Sequence, residues 1–543
     1  MEANGNFRRI LLVYPEFEPT YWGMQHFLPM IGKKALMPPL GLITIAALTP
    51  PGYECRLVDL NCRTLSDDDI AWADLACFSA MLFQKRALFR AARRCRDAGK
   101  LVVFGGPYPT ACPEECAPHC DVLVLNEGEI TWPAFISDLE QTGRWQSIYA
   151  SAEKPDLTST PVPRMDLLNM EDYLMIPVQF SRGCPYLCEF CDIIVMFGRK
   201  PRTKSPEQMI AELEAVYATG YRGTVFIVDD NFIGNKRAVK NLLPPLSAWN
   251  RKRGCPFVYG TEASIDLADD HELLRLMTDA NFAWVFIGLE SPEAESLKEA
   301  RKTQNLRAPL LDSVKTIQGF GLTVHGGFII GFDHDDETIF DRQIGFISQT
   351  AIPFAMIGPL DALPGTPLHA RMQREGRLRQ SRDGDEDWLI GGYRYTNIQT
   401  VIPQKAFFEG YRKMLDTLYS PQAYFNRVGE TLSRLPSSRN LHRPRKLRRS
   451  LPFLESLVQC FHALRKLPWS YLQEFMKLAW KTYRNRPDQL IRVLPYAMLG
   501  IHYYRYTFET IVPDLTRIID KLPEDTGVGP DLRISREADR SLY

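Results

Sequence analysis

The sequence lacks an excess of charge of either sign: lysine and arginine total 65, and aspartate and glutamate total 65. A balanced chain has no global attraction for nucleic acid or anionic lipid, so no nucleic-acid partner is expected. Apolar runs near the ~18 residues of a membrane-spanning helix are missing too. The opening MEANGNFRRILLVYPEF has an apolar run only from Ile10 to Val13 and no small-residue cleavage site after it, which predicts a cytoplasmic protein. No repeat with a period of roughly 20–50 residues is present, which argues against solenoids and propellers. Cysteine is not scarce: there are 12 in the 543 residues. In a cytosolic chain they point to thiol or metal chemistry, or to plain buried thiols, rather than to a disulfide framework.

The length calls for about two or three domains. Residues 1–150 form the first. Short apolar runs at Ile10–Tyr14, Cys55–Asp59, Leu75–Ser79, Leu101–Phe104 and Val122–Leu125 alternate with helical stretches such as Gly41–Leu48 and Lys85–Ala98. That alternation predicts a doubly wound, Rossmann-like parallel sheet. Ligands of such sheets sit beyond the C-terminal strand ends. Two strands end there in Gly105-Gly106-Pro107 and Asn126-Glu127-Gly128-Glu129. Either loop lets backbone approach a ligand, or is simply a tight turn. Residues 151–170, with Pro161 and Pro163 and no periodicity, read as a linker.

Residues 171–380 again alternate, with strands expected at Ile176–Ser181, Thr224–Asp229, Phe257–Thr261, Trp284–Leu289, Thr323–Ile330 and Phe354–Leu360. Six βα units in series predict a partial (β/α) barrel with its chemistry at the C-terminal strand ends. Residues 381–543 lose the strand signal and read as mainly helical, with long patterns at Ser470–Arg486 and Asp488–Ile511.

After the first barrel strand comes Ser181-Arg182-Gly183-Cys184-Pro185-Tyr186-Leu187-Cys188-Glu189-Phe190-Cys191. The C-x3-C-x2-C thiolates of Cys184, Cys188 and Cys191 can wrap one face of a 4Fe–4S cube. No fourth cysteine follows until Cys255, so one iron stays open to a small molecule. An electron carrier would close that position, and a zinc site would need a fourth ligand at finger spacing. Cys112, Cys116 and Cys120, with His119 beside them, form a second group that either holds a metal or packs a short helix.

A three-cysteine nest at a barrel's first strand end resembles the radical S-adenosylmethionine (SAM) superfamily. The resemblance implies a 4Fe–4S cluster and SAM as cofactors, and an external electron donor of the flavodoxin or ferredoxin type. It places Phe190 near the adenine, Asp229 and Asp230 near SAM's amino group, and Glu262, after the third strand, among the cofactor-binding residues. It sets Gly288 and Glu290 near the ribose and carboxylate, and Gly331 in the G-x-I-x-G motif beside the adenine. Arg199, Arg202 and Lys204 either face SAM's carboxylate or form a solvated basic loop.

A doubly wound domain directly before such a barrel is similar to the cobalamin-binding subclass. Met37-Pro38-Pro39-Leu40-Gly41-Leu42, Gly105-Gly106-Pro107 and Glu127-Gly128-Glu129 carry that likeness. The D-x-H-x-x-G motif for a cobalt-ligating histidine is absent. Glu16-Phe17-Glu18-Pro19-Thr20 stands in its place, which leaves either no lower histidine ligand or a ligand elsewhere. Across the chain the resemblance is to cobalamin-dependent radical SAM proteins with an extra helical C-terminal domain, the hopanoid C-2 methylase group. It implies a C-methyltransferase that uses one SAM as methyl source and another as source of a 5′-deoxyadenosyl radical. Cyclisation, oxygenation and rearrangement are the neighbouring chemistries, and a non-catalytic regulator or electron carrier is the other class. The substrate is a small molecule or a lipid. Arg434–Arg449 and the aromatics of Tyr496–Tyr506 with Phe508 either touch a membrane peripherally or form a solvated connector beside a helical core.

Overall fold

The structure, a computed structural model, describes residues 7–379, 395–437, 465 and 467–522. Strands β1 (Arg9–Tyr14), β2 (Glu54–Asp59), β3 (Leu75–Ser79), β4 (Leu101–Gly105), β5 (Val122–Val124) and β6 (Ile148–Tyr149) form a parallel sheet in the order β2-β1-β3-β4-β5-β6. Alternate residues serve opposite faces. Leu11, Val13, Ala76, Phe78, Val102 and Phe104 enter one core, while Ile10, Leu12, Leu75, Cys77, Leu101 and Val103 enter the other. A sheet covered on both faces needs apolar side chains at every position, which is why these strands read as continuous runs. β6 is only two residues long and left no run to see.

The second sheet begins with β7 (Met175–Val178). After the small hairpin pair β8 (Ser181–Arg182) and β9 (Arg202–Thr203), it continues with β10 (Gly223–Ile227), β11 (Phe257–Glu262), β12 (Phe282–Glu290), β13 (Thr323–Ile330) and β14 (Ala355–Pro359). Its order is β14-β13-β12-β11-β10-β7, all parallel, with β7 and β14 at the two ends so that the barrel does not close. The first expected strand therefore splits: β7 ends at Val178, and Ser181–Arg182 turns away to pair with Arg202–Thr203. Helix Pro206–Ala218 starts where its sequence says it should. Ser205 and Gln208 form a capping box, and Pro206 supplies a fixed first turn.

Between the sheets, residues 151–170 carry short turns whose Leu157, Met165 and Met170 are buried. Among the described residues after 395 the α-helices are Gln404–Leu418, Pro421–Arg434, Trp469–Asn485, Leu490–Tyr506 and Val512–Lys521, the last two joined by a π-helical turn at Thr507–Ile511. They pack on the β13–β14 side of the half-barrel. Tyr411 donates to the Ile357 carbonyl at 2.8 Å, and the hydroxyls of Thr323 and Tyr496 lie 2.9 Å apart. Tyr496, Tyr503 and Tyr506 are thus core residues, the second of the two readings that the sequence leaves open for them. From residue 438 onward the basic stretch lies outside the described residues, and Arg434 itself binds the carbonyls of Gln349 and Thr350. No helix among the described residues is long and apolar enough to cross a membrane.

Candidate active site

The cysteine loop leaves β8 through Gly183, whose φ of 97° only glycine adopts without strain. A Cβ there would also stand 2.9 Å from the Gly198 carbonyl oxygen, which accepts the Cys184 amide at 3.3 Å. Asp229 braces the loop's base: its carboxylate accepts the amides of Phe180 and Ser181 at 2.8 Å each and the Ser181 hydroxyl at 2.6 Å. Its side chain is consumed by the fold. Farther along, Arg371 holds Glu189, between the second and third cysteines, at 2.7 Å.

Two amides reach the sulfurs. Asn231 approaches Cys184 Sγ at 3.8 Å and Gln304 approaches Cys188 Sγ at 3.6 Å. Such donors stabilise thiolate charge on a cluster and tune its potential. Without metal, burial pushes the Cys184 thiol up and the Cys191 thiol up to about 12, so deprotonation would accompany ligation. Among the described residues no three His, Cys, Asp or Glu side chains converge on one ion position. A cube asks something else of three thiolates: one iron each, spread around a loop. Cys112, Cys116 and Cys120 instead pack into one core of the first sheet with Tyr108 and Leu123.

A cavity of about 1250 Å³ lies between the C-terminal strand ends of the two sheets. Gly105, Gly106, Pro107, Glu127, Gly128 and Glu129 line it from the first sheet, and Phe190, Asp229, Asp230, Glu262, Gly288 and Glu290 from the second. Gly331 is turned away, its φ of 99° and the nearby Phe407 and Thr400 explaining the glycine by packing. Asp230 keeps one buried carboxylate oxygen without a partner. Burial, reinforced by Asp229 and Asp192, pushes Asp230 up to about 7, and burial with Asp230 and Asp229 pushes Glu262 up to about 8. Buried acids in that state fit a cationic ligand, such as an amine or a sulfonium.

Three further features were hidden from the sequence. Glu127 and Glu129, expected at a ligand, are taken by Arg182, which reaches both at 2.8 Å, and by Arg202, which reaches Glu127 at 2.8 Å. Arg202 thereby ties the β8–β9 pair to the loop after the first sheet's β5, Lys204 is buried against Glu212, and Arg199 is exposed. Lys302 pairs with Glu290 at 2.5 Å and stands 5.6 Å over the Phe190 ring. Burial lowers the Lys302 pKa, but Glu290, Cys188 and Cys191 outweigh it and hold the ammonium above its ordinary range. Lastly, Trp22 enters the cavity wall 5.0 Å from Phe286, and no histidine lines the cavity among the described residues.

A three-cysteine loop at the first strand end of a parallel half-barrel, beside an acid-lined cavity, is the arrangement expected of the radical SAM class, and the chain's relatives agree: this is a radical SAM enzyme. Residues 178–341 match the Radical SAM superfamily model, and residues 366–512 match a domain of unknown function (DUF4070). The chain is 45% identical over 420 residues to an uncharacterised methyltransferase of Synechocystis sp., covering 77% of each. It is 37% identical over 431 residues to the hopanoid C-2 methylase of Rhodopseudomonas palustris, covering 78% of this chain and 80% of that one. It belongs to the radical SAM superfamily, in the group that contains these relatives. Its fold resembles that of OxsB, a cobalamin-dependent SAM radical enzyme, at a TM-score of 0.59 and 16% identity over 96% of this chain and 82% of that one. It also resembles the radical SAM methyltransferase TsrM of Kitasatospora setae at 0.53 and 17% identity, over 69% and 77%.

Proposed function

We propose that this enzyme transfers a methyl group to an unactivated carbon of an apolar small molecule or lipid, with cobalamin as a second cofactor beside the cluster and SAM. The observation that carries the reading is the cavity shared by two sets of strand ends. At about 1250 Å³ it exceeds the roughly 300–1,000 Å³ of a one-ligand pocket. Its first-sheet wall is apolar and glycine-bearing, with Met37, Pro39, Gly41, Gly105 and Gly128, and a Cβ built on Gly41 meets nothing within 4 Å. That wall suits a broad, flat ligand. The opposite wall is acidic and suits a cationic one.

When bound, these groups supply a 5′-deoxyadenosyl radical and a transferable methyl group. The chain's residues do the rest. Cys184, Cys188 and Cys191 hold the cluster, with Asn231 and Gln304 donating to their sulfurs. Asp230 and Glu262 face SAM's cationic centres, Gly288 and Glu290 its ribose, and Phe190 its adenine, while Gly331 backs that wall. Gly105, Gly106, Pro107 and Gly128 border the corrin, and Glu127 and Glu129 join the two walls through Arg182. Trp22, Phe286, Phe328 and Met356 give the substrate an apolar, water-poor bed. The electron comes from an external flavodoxin- or ferredoxin-type donor. The similarity to named methyltransferases favours methyl transfer over cyclisation, oxygenation or rearrangement.

Anaerobic reconstitution with iron, sulfide, reductant, SAM and hydroxocobalamin tests this. Formation of 5′-deoxyadenosine and a corrin spectrum that co-elutes with the protein are expected. Cluster-loaded protein that never binds corrin overturns the methyl-transfer reading. For the substrate, deletion of the gene in cells fed deuteromethyl-methionine should remove a labelled apolar product.

A further inference from the structure

The helix Trp469–Asn485 carries an apolar face that the described residues leave uncovered. Trp469, Met476, Trp480 and Tyr483 are 67%, 61%, 63% and 66% exposed. At 3.6 residues per turn these four fall within an arc of about 60° and run for about 21 Å along the axis. The exposure does not come from a loosely held helix. The opposite face is anchored by Tyr471, whose hydroxyl donates to the Ala497 carbonyl at 2.7 Å and whose ring meets Phe425 at 4.9 Å, and by buried Leu478 and Thr482. Exposed Ile491, at the start of the next helix, adds a further apolar side chain.

Beside the aromatic stripe runs a cationic one. Lys477, Lys481 and Arg484 occupy the neighbouring arc, all exposed, and Arg484 lies 5.5 Å over the Trp480 ring. The single acid within this helix, Glu474, pairs with Lys477 at 2.6 Å, so Lys481 and Arg484 have no acid of the helix to balance them. Large amphipathic rings flanked by long cations match the boundary between acyl chains and anionic headgroups, where a ring end is wet and a Lys or Arg stem lies along apolar surface. Protein interfaces instead deplete lysine at their centre.

We propose that this helix face docks the enzyme peripherally on an anionic lipid bilayer, with the Trp469–Tyr483 stripe at the acyl boundary and Lys477, Lys481 and Arg484 on the headgroups. The inference does not depend on the reaction assigned above. It gives a surface role to a region whose family carries no assigned function.

The test is co-sedimentation of the full-length, cluster-loaded protein with phosphatidylcholine vesicles that contain or lack roughly one-third phosphatidylglycerol. Binding to the anionic vesicles is expected, with a drop of about tenfold for the W469S/W480S variant and a severalfold drop for K477E/K481E. Circular dichroism and 5′-deoxyadenosine formation should be unchanged in both, because the substituted side chains are exposed. In the unaltered protein, brominated lipids should quench tryptophan emission, and W480F should weaken that quenching without loss of fold. Three results overturn the proposal: no binding to anionic vesicles, binding that the variants leave intact, or a dimer in vesicle-free solution that W469S/W480S abolishes. Tryptophans shielded from acrylamide before vesicles are added would show that another part of the chain covers the face, and would overturn it as well.

Discussion

The hydroxyl of Tyr21 lies 2.9 Å from that of Thr507, although 486 residues separate them. Around this bond the Tyr21 ring stacks on Tyr419 at 5.5 Å and Tyr503 at 5.3 Å, and His502 Nε2 sits 2.9 Å from the Thr20 carbonyl. Thr507 opens the π-helical turn, a distortion that re-aims side chains at such junctions. The C-terminal helices therefore hold the early segment whose next residue, Trp22, forms part of the cavity wall. Tyr21→Phe leaves a buried hydroxyl unpartnered and should lower stability by about 1–2 kcal/mol, measured by chemical denaturation.

Glu127 is the hub between the sheets. Glu127→Gln leaves Arg182 and Arg202 short of a buried counter-charge and should cost about 3 kcal/mol. The loss should appear in the denaturation midpoint of cluster-free protein, which separates it from any effect on iron.

Alanine at Cys184, Cys188 or Cys191 should remove the visible iron–sulfur absorbance after reconstitution. Cys112→Ala, in the core of the first sheet, should keep about four irons per chain. Iron and sulfide assays distinguish the two outcomes.

Gly288 sits where a Cβ would run into Glu290 and Lys302. Gly288→Ala should displace that pair and lower 5′-deoxyadenosine formation by about tenfold or more.

The acid cluster gives a pH dependence of defined sign. Asp230 and Glu262 hold their protons more tightly folded than unfolded, at about 7 and about 8. Their contribution favours folding fully below the ordinary carboxylate range and is lost as pH rises to those values. Cofactor-free protein should therefore melt lower at roughly pH 9 than at roughly pH 6, and Glu262→Gln should reduce that difference. Saturating SAM should also reduce it, because a cation favours the ionised acids.

Much of this protein was legible along the chain because the signals are local. The cysteine spacing, the apolar runs of the two sheets, and the capping box at Ser205 each lie within a few residues, and the chemistry of thiolates and backbone fixes what they become. Family membership followed from the same local segments. Other features needed the folded chain. Glu127 and Glu129 look like ligand-loop acids until Arg182 arrives from 55 residues away, and Asp229 looks free until it caps the cysteine loop. The aromatic richness of Tyr496–Tyr506 is compatible with either a membrane face or a helical core; those rings fill the core, and the exposed stripe is on Trp469–Tyr483. Composition states how many rings a helix carries, and only packing decides which way they point. The sequence by itself determined the class of chemistry, because the three cysteines and their spacing lie within one short loop and are read without any distant residue. Tertiary structure decided which acids remain for a ligand and which faces remain for solvent, because each depends on charges and side chains brought in from remote parts of the chain.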